Sequence, residues 1–269
     1  MANFRYSLNS STIKPTPILK KIEVAAAAGY EAIELWHADI DIHLEQGGTV
    51  EEIRAAIDQS GLEVPTTVML KGWCEPDGPD YEEGIKECRR RLGHAQIVGA
   101  KHAVAGPPHG TVDFDLAAKR YGELIEIGKE YDVLPAMEYL GFAQDVNSIA
   151  DALRIMEGSG EPEATIILDP FHDFRGGAGC DDIARLKASQ IAICHFDDAP
   201  ATPPAHEQRD PDRVMPGEGV IDLKKFLSLL KQVGYSGFVS IELFREDLWE
   251  QDPLEVAKKC LEAMKGICE

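Results

Sequence analysis

The sequence predicts one (β/α)8 barrel, a TIM-type α/β fold, as a single domain over residues 1–269. Three observations carry this. Short β-rich runs alternate with longer helical patterns eight times, the pattern of parallel strands joined by crossovers. Glycines stand where helix gives way to strand. The last four strands each close an apolar run with a charged or imidazole side chain.

The expected strands are Phe4–Leu8, Ala32–Trp36, Glu63–Met69, His102–Ala105, Leu134–Tyr139, Thr165–Asp169, Ile191–Phe196 and Phe238–Leu243. The helical patterns between and after them are Ile18–Ala28, Val50–Gln59, Tyr81–Val98, Leu116–Tyr131, Ser148–Glu157, Asp182–Ala188, Leu223–Val233 and Pro253–Lys265. Gly29, Gly61, Gly99 and Gly234 each follow a helical stretch, where a left-handed residue closes a helix. An open doubly wound sheet would place a glycine-rich phosphate turn after its first strand. Here Asn9-Ser10-Ser11-Thr12-Ile13-Lys14-Pro15 follows instead, and no G-x-G-x-x-G or P-loop pattern occurs. The longest irregular stretch, Ala199–Gly219, holds five prolines and is expected to form part of an active-site wall.

A chain of 269 residues exceeds a typical domain, yet a barrel of this class uses about 250 as one unit. The formal charge of −20 opposes nucleic acid and anionic membrane surfaces as partners, because phosphate neutralisation needs cations. Six scattered cysteines, without C-x-x-C pairs, read as free thiols in a reducing cytoplasm. No apolar leader or membrane-length apolar run is evident, so a soluble cytoplasmic protein is expected. Val256, Leu261 and Ile267 on the last helix are expected to pack on the barrel or on a partner chain, which leaves a homo-oligomer open.

In such barrels the chemistry sits at the C-terminal strand ends. Strand five ends in Glu138, strand six in Asp169, strand seven in His195 and strand eight in Glu242. A lone strand-end carboxylate is more often a salt bridge or a helix cap. Four ionisable groups at one height on consecutive strands are different. Three converging carboxylates repel unless a cation joins them. Three oxygen ligands and one imidazole suit Mn2+, Mg2+, Co2+ or Zn2+.

Around these residues lie Ile167-Leu168-Asp169-Pro170-Phe171-His172, Ile193-Cys194-His195-Phe196-Asp197-Asp198, Asp212-Arg213-Val214-Met215-Pro216-Gly217-Glu218-Gly219 and Val239-Ser240-Ile241-Glu242-Leu243-Phe244. Together they resemble the xylose isomerase-like TIM-barrel superfamily, and within it the inosose (2-keto-myo-inositol) isomerase group. The likeness is strongest over residues 133–250. It implies that Glu138, Asp169, His195 and Glu242 ligate one divalent metal, and that Glu138 and Glu242 double as the acid/base pair. It implies that His172 and Arg213 hold substrate oxygens. The alternative for His172 is a loop cap, and for Arg213 a surface arginine pairing Asp210 or Asp212. The implied reaction is isomerisation or epimerisation of a small polyol or keto-sugar through proton transfer and a metal-bound cis-enediolate.

Other residues carry weaker expectations. His37 follows the second strand and lines the pocket or packs at its edge; Gln144, with Asn147, is a candidate polar substrate contact. Trp73 and Met69 are candidates for an apolar wall. Lys101 lies at the wrong end of strand four. His43, His94, His102, His109 and His206 are expected on loops or helices, facing solvent. Two enzymatic rivals share the fold. A dehydratase of the inosose or 3-dehydroshikimate type would lose a β-hydroxyl after enolisation. A DNA-repair endonuclease would carry D-x-H where this chain has Asp212-Arg213-Val214. A non-catalytic sugar-binding barrel would have no use for all four ligands.

Overall fold

The structure, a computed structural model, describes residues 4–108 and 110–269. Eight parallel strands close into a barrel in sequence order: β1 (Arg5–Asn9), β2 (Ala32–Trp36), β3 (Thr66–Leu70), β4 (His102–Ala105), β5 (Leu134–Met137), β6 (Thr165–Leu168), β7 (Ile191–His195) and β8 (Phe238–Ile241). β8 pairs with β1, which shuts the ring. The helices are α1 (Ile18–Ala28), α2 (His37–Glu45), α3 (Val50–Ser60), α4 (Pro79–Val98), α5 (Phe114–Lys129), α6 (Ile149–Ser159), α7 (Pro170–Gly176), α8 (Leu223–Gln232), α9 (Glu246–Trp249) and α10 (Pro253–Cys268).

The glycine junctions are as expected. Gly29, Gly61 and Gly99 cap α1, α3 and α4 in the left-handed conformation, at φ of 95°, 72° and 81°. Helix starts are also encoded locally. Thr49 and Glu52 form a capping box on α3, and Asp252 caps α10 ahead of Pro253.

The connection between β6 and β7 departs from expectation. Asp182–Ala188 is not an α-helix but carries a 3-10 turn at Asp181–Arg185. The helix of this unit starts directly at the strand end instead. Asp169 accepts from the backbone N–H of Phe171 and His172, and Pro170 occupies the first helical position. Gly177, at φ 76°, then stops the helix after seven residues. α2 and α9 are further short helices that the sequence pattern does not announce, both following strand ends.

Two apolar layers hold the barrel. The larger lies between strands and helices, and includes Ile33, Leu35, Val239 and Ile241 with Ile22, Ile53, Leu92 and Leu230. Val256 and Leu261 of α10 belong to it and Ile267 packs against it, so this helix docks on its own barrel. The smaller layer fills the barrel interior with one residue from each of β2 to β8: Ala32, Val68, Val104, Ala136, Ile167, Ile193 and Phe238. Fully burying a side chain such as isoleucine contributes roughly 1.5–3 kcal/mol. Strand side chains alternate between these two layers. That alternation fixes which residues reach the mouth. Among the described residues, no helix is long and apolar enough to cross a membrane.

Candidate metal centre and active site

Glu138, Asp169 and His195 stand two residues beyond Ala136, Ile167 and Ile193 of the inner layer, and so point inward at the C-terminal end. Glu242 stands four residues beyond Phe238, on the same face of its strand. All four are buried. His195 Nδ1 lies 3.2 Å from Glu242 Oε2, 3.6 Å from Asp169 Oδ2 and 3.7 Å from Glu138 Oε1. Asp169, His195 and Glu242 present ligand atoms that all fall within 4.8 Å of one another, with Glu138 at their flank.

The electrostatics match a site built for a cation. Burial pushes the Glu138 carboxyl up to about 8, against the pull of His195, and the charges of Glu242 and Asp169 add to the rise. Burial also opposes ionisation of Asp169, but the Arg213 guanidinium and the His195 imidazole outweigh it and hold Asp169 well below the usual carboxylate range. Burial disfavours a charged His195, yet Glu242 and Glu34 outweigh it and hold the imidazole well above its ordinary value. Neither ring nitrogen of His195 has a hydrogen-bond partner of good geometry. A buried imidazole nitrogen facing three carboxylate oxygens, with no hydrogen bond of its own, fits a divalent ion.

Asp169 divides its work between its oxygens. Oδ1 caps α7 through Phe171 N at 2.8 Å, and Oδ2 faces the centre. Its own backbone N–H donates to Tyr139 Oη at 3.3 Å, while that hydroxyl donates to Asp173 Oδ1 at 2.8 Å.

Arg213 is buried at 1% exposure, which removes the surface-arginine alternative, although it does reach Asp210. Its Nη1 donates to Asp169 Oδ2 at 2.8 Å and also to Asp197 Oδ2. Nη2 donates to His172 Nε2 at 3.1 Å. The guanidinium carbon sits 4.6 Å from the centre of the Phe171 ring. His172 is buried too, and burial pushes its imidazole down to about 4, so it is neutral and accepts from Arg213. Its Nδ1 has no hydrogen-bond partner, and Phe142 packs edge-on against its ring at 5.3 Å.

The wall expected at Ala199–Gly219 is present, and one carboxylate organises it. Asp198 Oδ1 accepts from Ala199 N and Ile221 N, and Oδ2 from Gly217 N and Gly219 N. A Cβ on Gly219 would fall 2.3 Å from Asp198 Oδ1, so only glycine fits. This clasp delivers Arg213 to the mouth.

Two expected substrate contacts are not brought to the centre. Trp36 shares the inward side of β2 with Ala32 and Glu34, and His37 opens α2 with its ring turned toward α4. The His37 ring packs on His94 of α4, 6.5 Å between centroids, with both nitrogens unpartnered. Gln144 is exposed and donates to Thr111 Oγ1 at 3.0 Å; Asn147 bonds Ala143 and Gln144 in the same turn. Trp73 is buried and donates to Gly106 O, and with Met69 it lines a small cavity beside the mouth. Of the remaining histidines among the described residues, only His206 is openly exposed. His43 and His94 are half-buried on helices, and His102 is half-buried on β4, because each packs against a neighbouring element. His109 lies outside the described residues.

The first two strands supply residues that reading only the last four overlooks. Glu34 is fully buried, accepts from Thr66 Oγ1 and from Asn9 Nδ2, and lies 3.4 Å from His195 Nε2. Asn9 ends β1 and touches Glu242. Asp197, two residues beyond β7, was also overlooked and ion-pairs with Arg213. The signal was available for two of them: Asn9 closes β1, and Glu34 stands two residues past Ala32 on the inward face of β2.

The chain belongs to the xylose isomerase-like TIM barrel family, whose model matches residues 22–267. An inosose isomerase of Halalkalibacterium halodurans is 29% identical over 256 residues, covering 93% of this chain and 90% of its own. An inosose isomerase of Bacillus subtilis is 31% identical over 193 residues, 68% of this chain and 69% of its own. A crystal structure of the IolI protein with a bound zinc atom superposes with a TM-score of 0.91 over 98% of both chains, at 24% identity.

Proposed function

We propose that this chain is a divalent-metal-dependent isomerase or epimerase of small keto-sugars, with an inosose as the favoured substrate class. The observation that carries it is the placement of two glutamates about one imidazole. Glu138 and Glu242 approach His195 Nδ1 at 3.7 and 3.2 Å from β5 and β8, three positions apart around the ring. Four residues would hold the ion: Glu138, Asp169, His195 and Glu242. The relatives named as inosose isomerases support the substrate class. The choice among Mn2+, Mg2+, Co2+ and Zn2+ is guided by the zinc in the IolI structure. The charge of −20 and the six free thiols fit a cytoplasmic enzyme of small molecules rather than of nucleic acid.

When bound, a divalent ion supplies Lewis-acid polarisation of the substrate carbonyl. The chain's own groups do the rest. One glutamate removes the proton on the carbon next to the carbonyl, giving a cis-enediolate. Return of a proton to the adjacent carbon moves the carbonyl, whereas return to the opposite face of the same carbon inverts it. Two carboxylates on different strands serve either outcome. Arg213 and His172 hold the substrate oxygens, with Arg213 stabilising negative charge as it develops.

The test is incubation of the metal-loaded protein in D2O with inososes, ketohexoses and dehydroshikimate, followed by NMR. Deuterium incorporation with isomer formation is expected. An alkene product with loss of water would replace this reading with the dehydratase. Absence of exchange on every substrate would refute it.

A further inference from the structure

Asn9 is the last residue of β1 and is completely buried at the mouth. Its amide is held at both ends. Oδ1 accepts from Trp36 Nε1 at 2.7 Å and from Ser11 N at 3.1 Å. Nδ2 donates to Glu242 Oε1 at 3.0 Å and to Glu34 Oε1 at 3.3 Å. The amide can adopt only this orientation, because the reverse would turn its NH2 toward two donors and its oxygen toward two carboxylates. Both amide hydrogens are therefore spent on two carboxylates of different strands.

Those carboxylates touch His195 from its two ring edges. Glu242 Oε2 is 3.2 Å from Nδ1 and Glu34 Oε2 is 3.4 Å from Nε2. In each glutamate Asn9 takes Oε1 and leaves Oε2 for the imidazole. Glu242 Oε2 also faces Arg213 Nη1 at 3.6 Å. The two oxygens of Glu242 are thus made unequal before any ligand arrives: one is tied to β1 and the other is presented to the centre.

We propose that Asn9 is a positioning residue for Glu242, fixing which carboxylate oxygen serves the metal and the substrate, and that the Trp36 indole locks Asn9 in the orientation that does so. This rests on the reading of Glu242 as ligand and proton carrier. A hydrogen bond to an ionised group is among the stronger ones in a protein, and a buried carboxylate that loses it must find another partner or move. Without Asn9, Glu242 and Glu34 lose their shared donor.

The test compares wild type, Asn9→Leu and Trp36→Phe. Leucine matches the branching of asparagine but donates nothing; phenylalanine keeps an aromatic ring without the indole N–H. Co2+ alone is titrated into each metal-free protein by calorimetry, the visible Co2+ spectrum is recorded, and kcat and KM are measured for the best substrate of the D2O assay. Asn9→Leu is expected to weaken Co2+ binding by roughly 10- to 100-fold, to alter the Co2+ spectrum, and to lower kcat more than it changes KM. Trp36→Phe is expected to act in the same direction and less strongly. A folded Asn9→Leu with wild-type affinity, spectrum and kcat would show that Asn9 only fills space. Should Asn9→Leu fail to fold by circular dichroism, Trp36→Phe decides, and an unchanged affinity and spectrum there overturns the proposal. Wild type that binds no Co2+ would overturn the reading of the centre itself, an outcome distinct from variants that bind as wild type does.

Discussion

His195 Nε2 lies 3.4 Å from Glu34 Oε2, on the ring edge opposite the nitrogen that faces Glu242. A carboxylate behind a ligating imidazole fixes ring orientation and raises its basicity. Glu34→Gln is therefore expected to weaken divalent-metal affinity about 10- to 100-fold. Calorimetric titration of the metal-free variant checks this, and a wild-type dissociation constant would remove Glu34 from the account.

Arg213 is the cation that Asp169, Asp197 and Asp210 share. Arg213→Met leaves buried carboxylates without their partner, a change that costs about 3–5 kcal/mol for a buried pair. Urea unfolding of the metal-free variant should show a loss of that size, together with a fall in kcat. Stability equal to wild type would mean that the guanidinium does not hold these charges together.

Metal removal should act on folding as well as turnover. Chelation is expected to abolish isomerisation, and restoring Mn2+, Co2+, Zn2+ or Mg2+ to recover it. A ligand that binds only the native state at 100 times its dissociation constant adds about 2.7 kcal/mol. Thermal melting with and without the ion reads this directly. Full activity in chelator, with no ion detected by elemental analysis, would exclude a metal-dependent reaction.

His37 gives a prediction away from the centre. It is fully buried with both ring nitrogens unpartnered; burial, and then the charges of Arg91 and His94, push its imidazole down to about 3. The folded value lies below the unfolded value near 6.5, so the unfolded chain binds the proton more readily. The associated stability is complete above about pH 6.5 and is lost as the pH falls toward 3, on the order of 4–5 kcal/mol in all. His37→Leu should flatten that part of the acid limb. Denaturant midpoints of both proteins from pH 7 to pH 4 check it, and parallel curves would show that His37 does not titrate between the two states.

The barrel was legible because its signal is redundant: eight β-rich runs alternate with helical patterns, and Gly29, Gly61, Gly99 and Gly234 mark helix ends. The four strand-end groups were legible because Glu138, Asp169, His195 and Glu242 interrupt nearly pure apolar runs. Asn9 ends a strand that also holds Arg5, Tyr6 and Ser7, and Glu34 sits in the middle of β2 rather than at its end, so neither polar residue is conspicuous. His37 was ambiguous because β2 passes directly into α2 there, so strand alternation does not fix its side. The helix at Asp182–Ala188 failed because Asp169-Pro170 starts a helix earlier, and an apolar period says nothing about which of two nucleation points wins. Arg213 was legible as a residue but not as a buried one, since its burial depends on Asp198 gathering three distant amides besides that of Ala199.

That clasp has an architectural consequence. Residues 199 and 217–221 are fastened to one side chain, and Val220 N closes the circuit on Ala199 O. Within the segment between them Gln208 and Arg213 are buried, whereas Ala201–Glu207 lies at the surface of the frame. Loop-closure entropy grows by only about 0.6 kcal/mol for each doubling of length. Insertions and replacements between Ala201 and Glu207 are thus expected to leave the barrel and Arg213 in place while reshaping the rim of that wall. Selection, natural or in the laboratory, can vary that rim without touching Arg213 or the four strand-end groups.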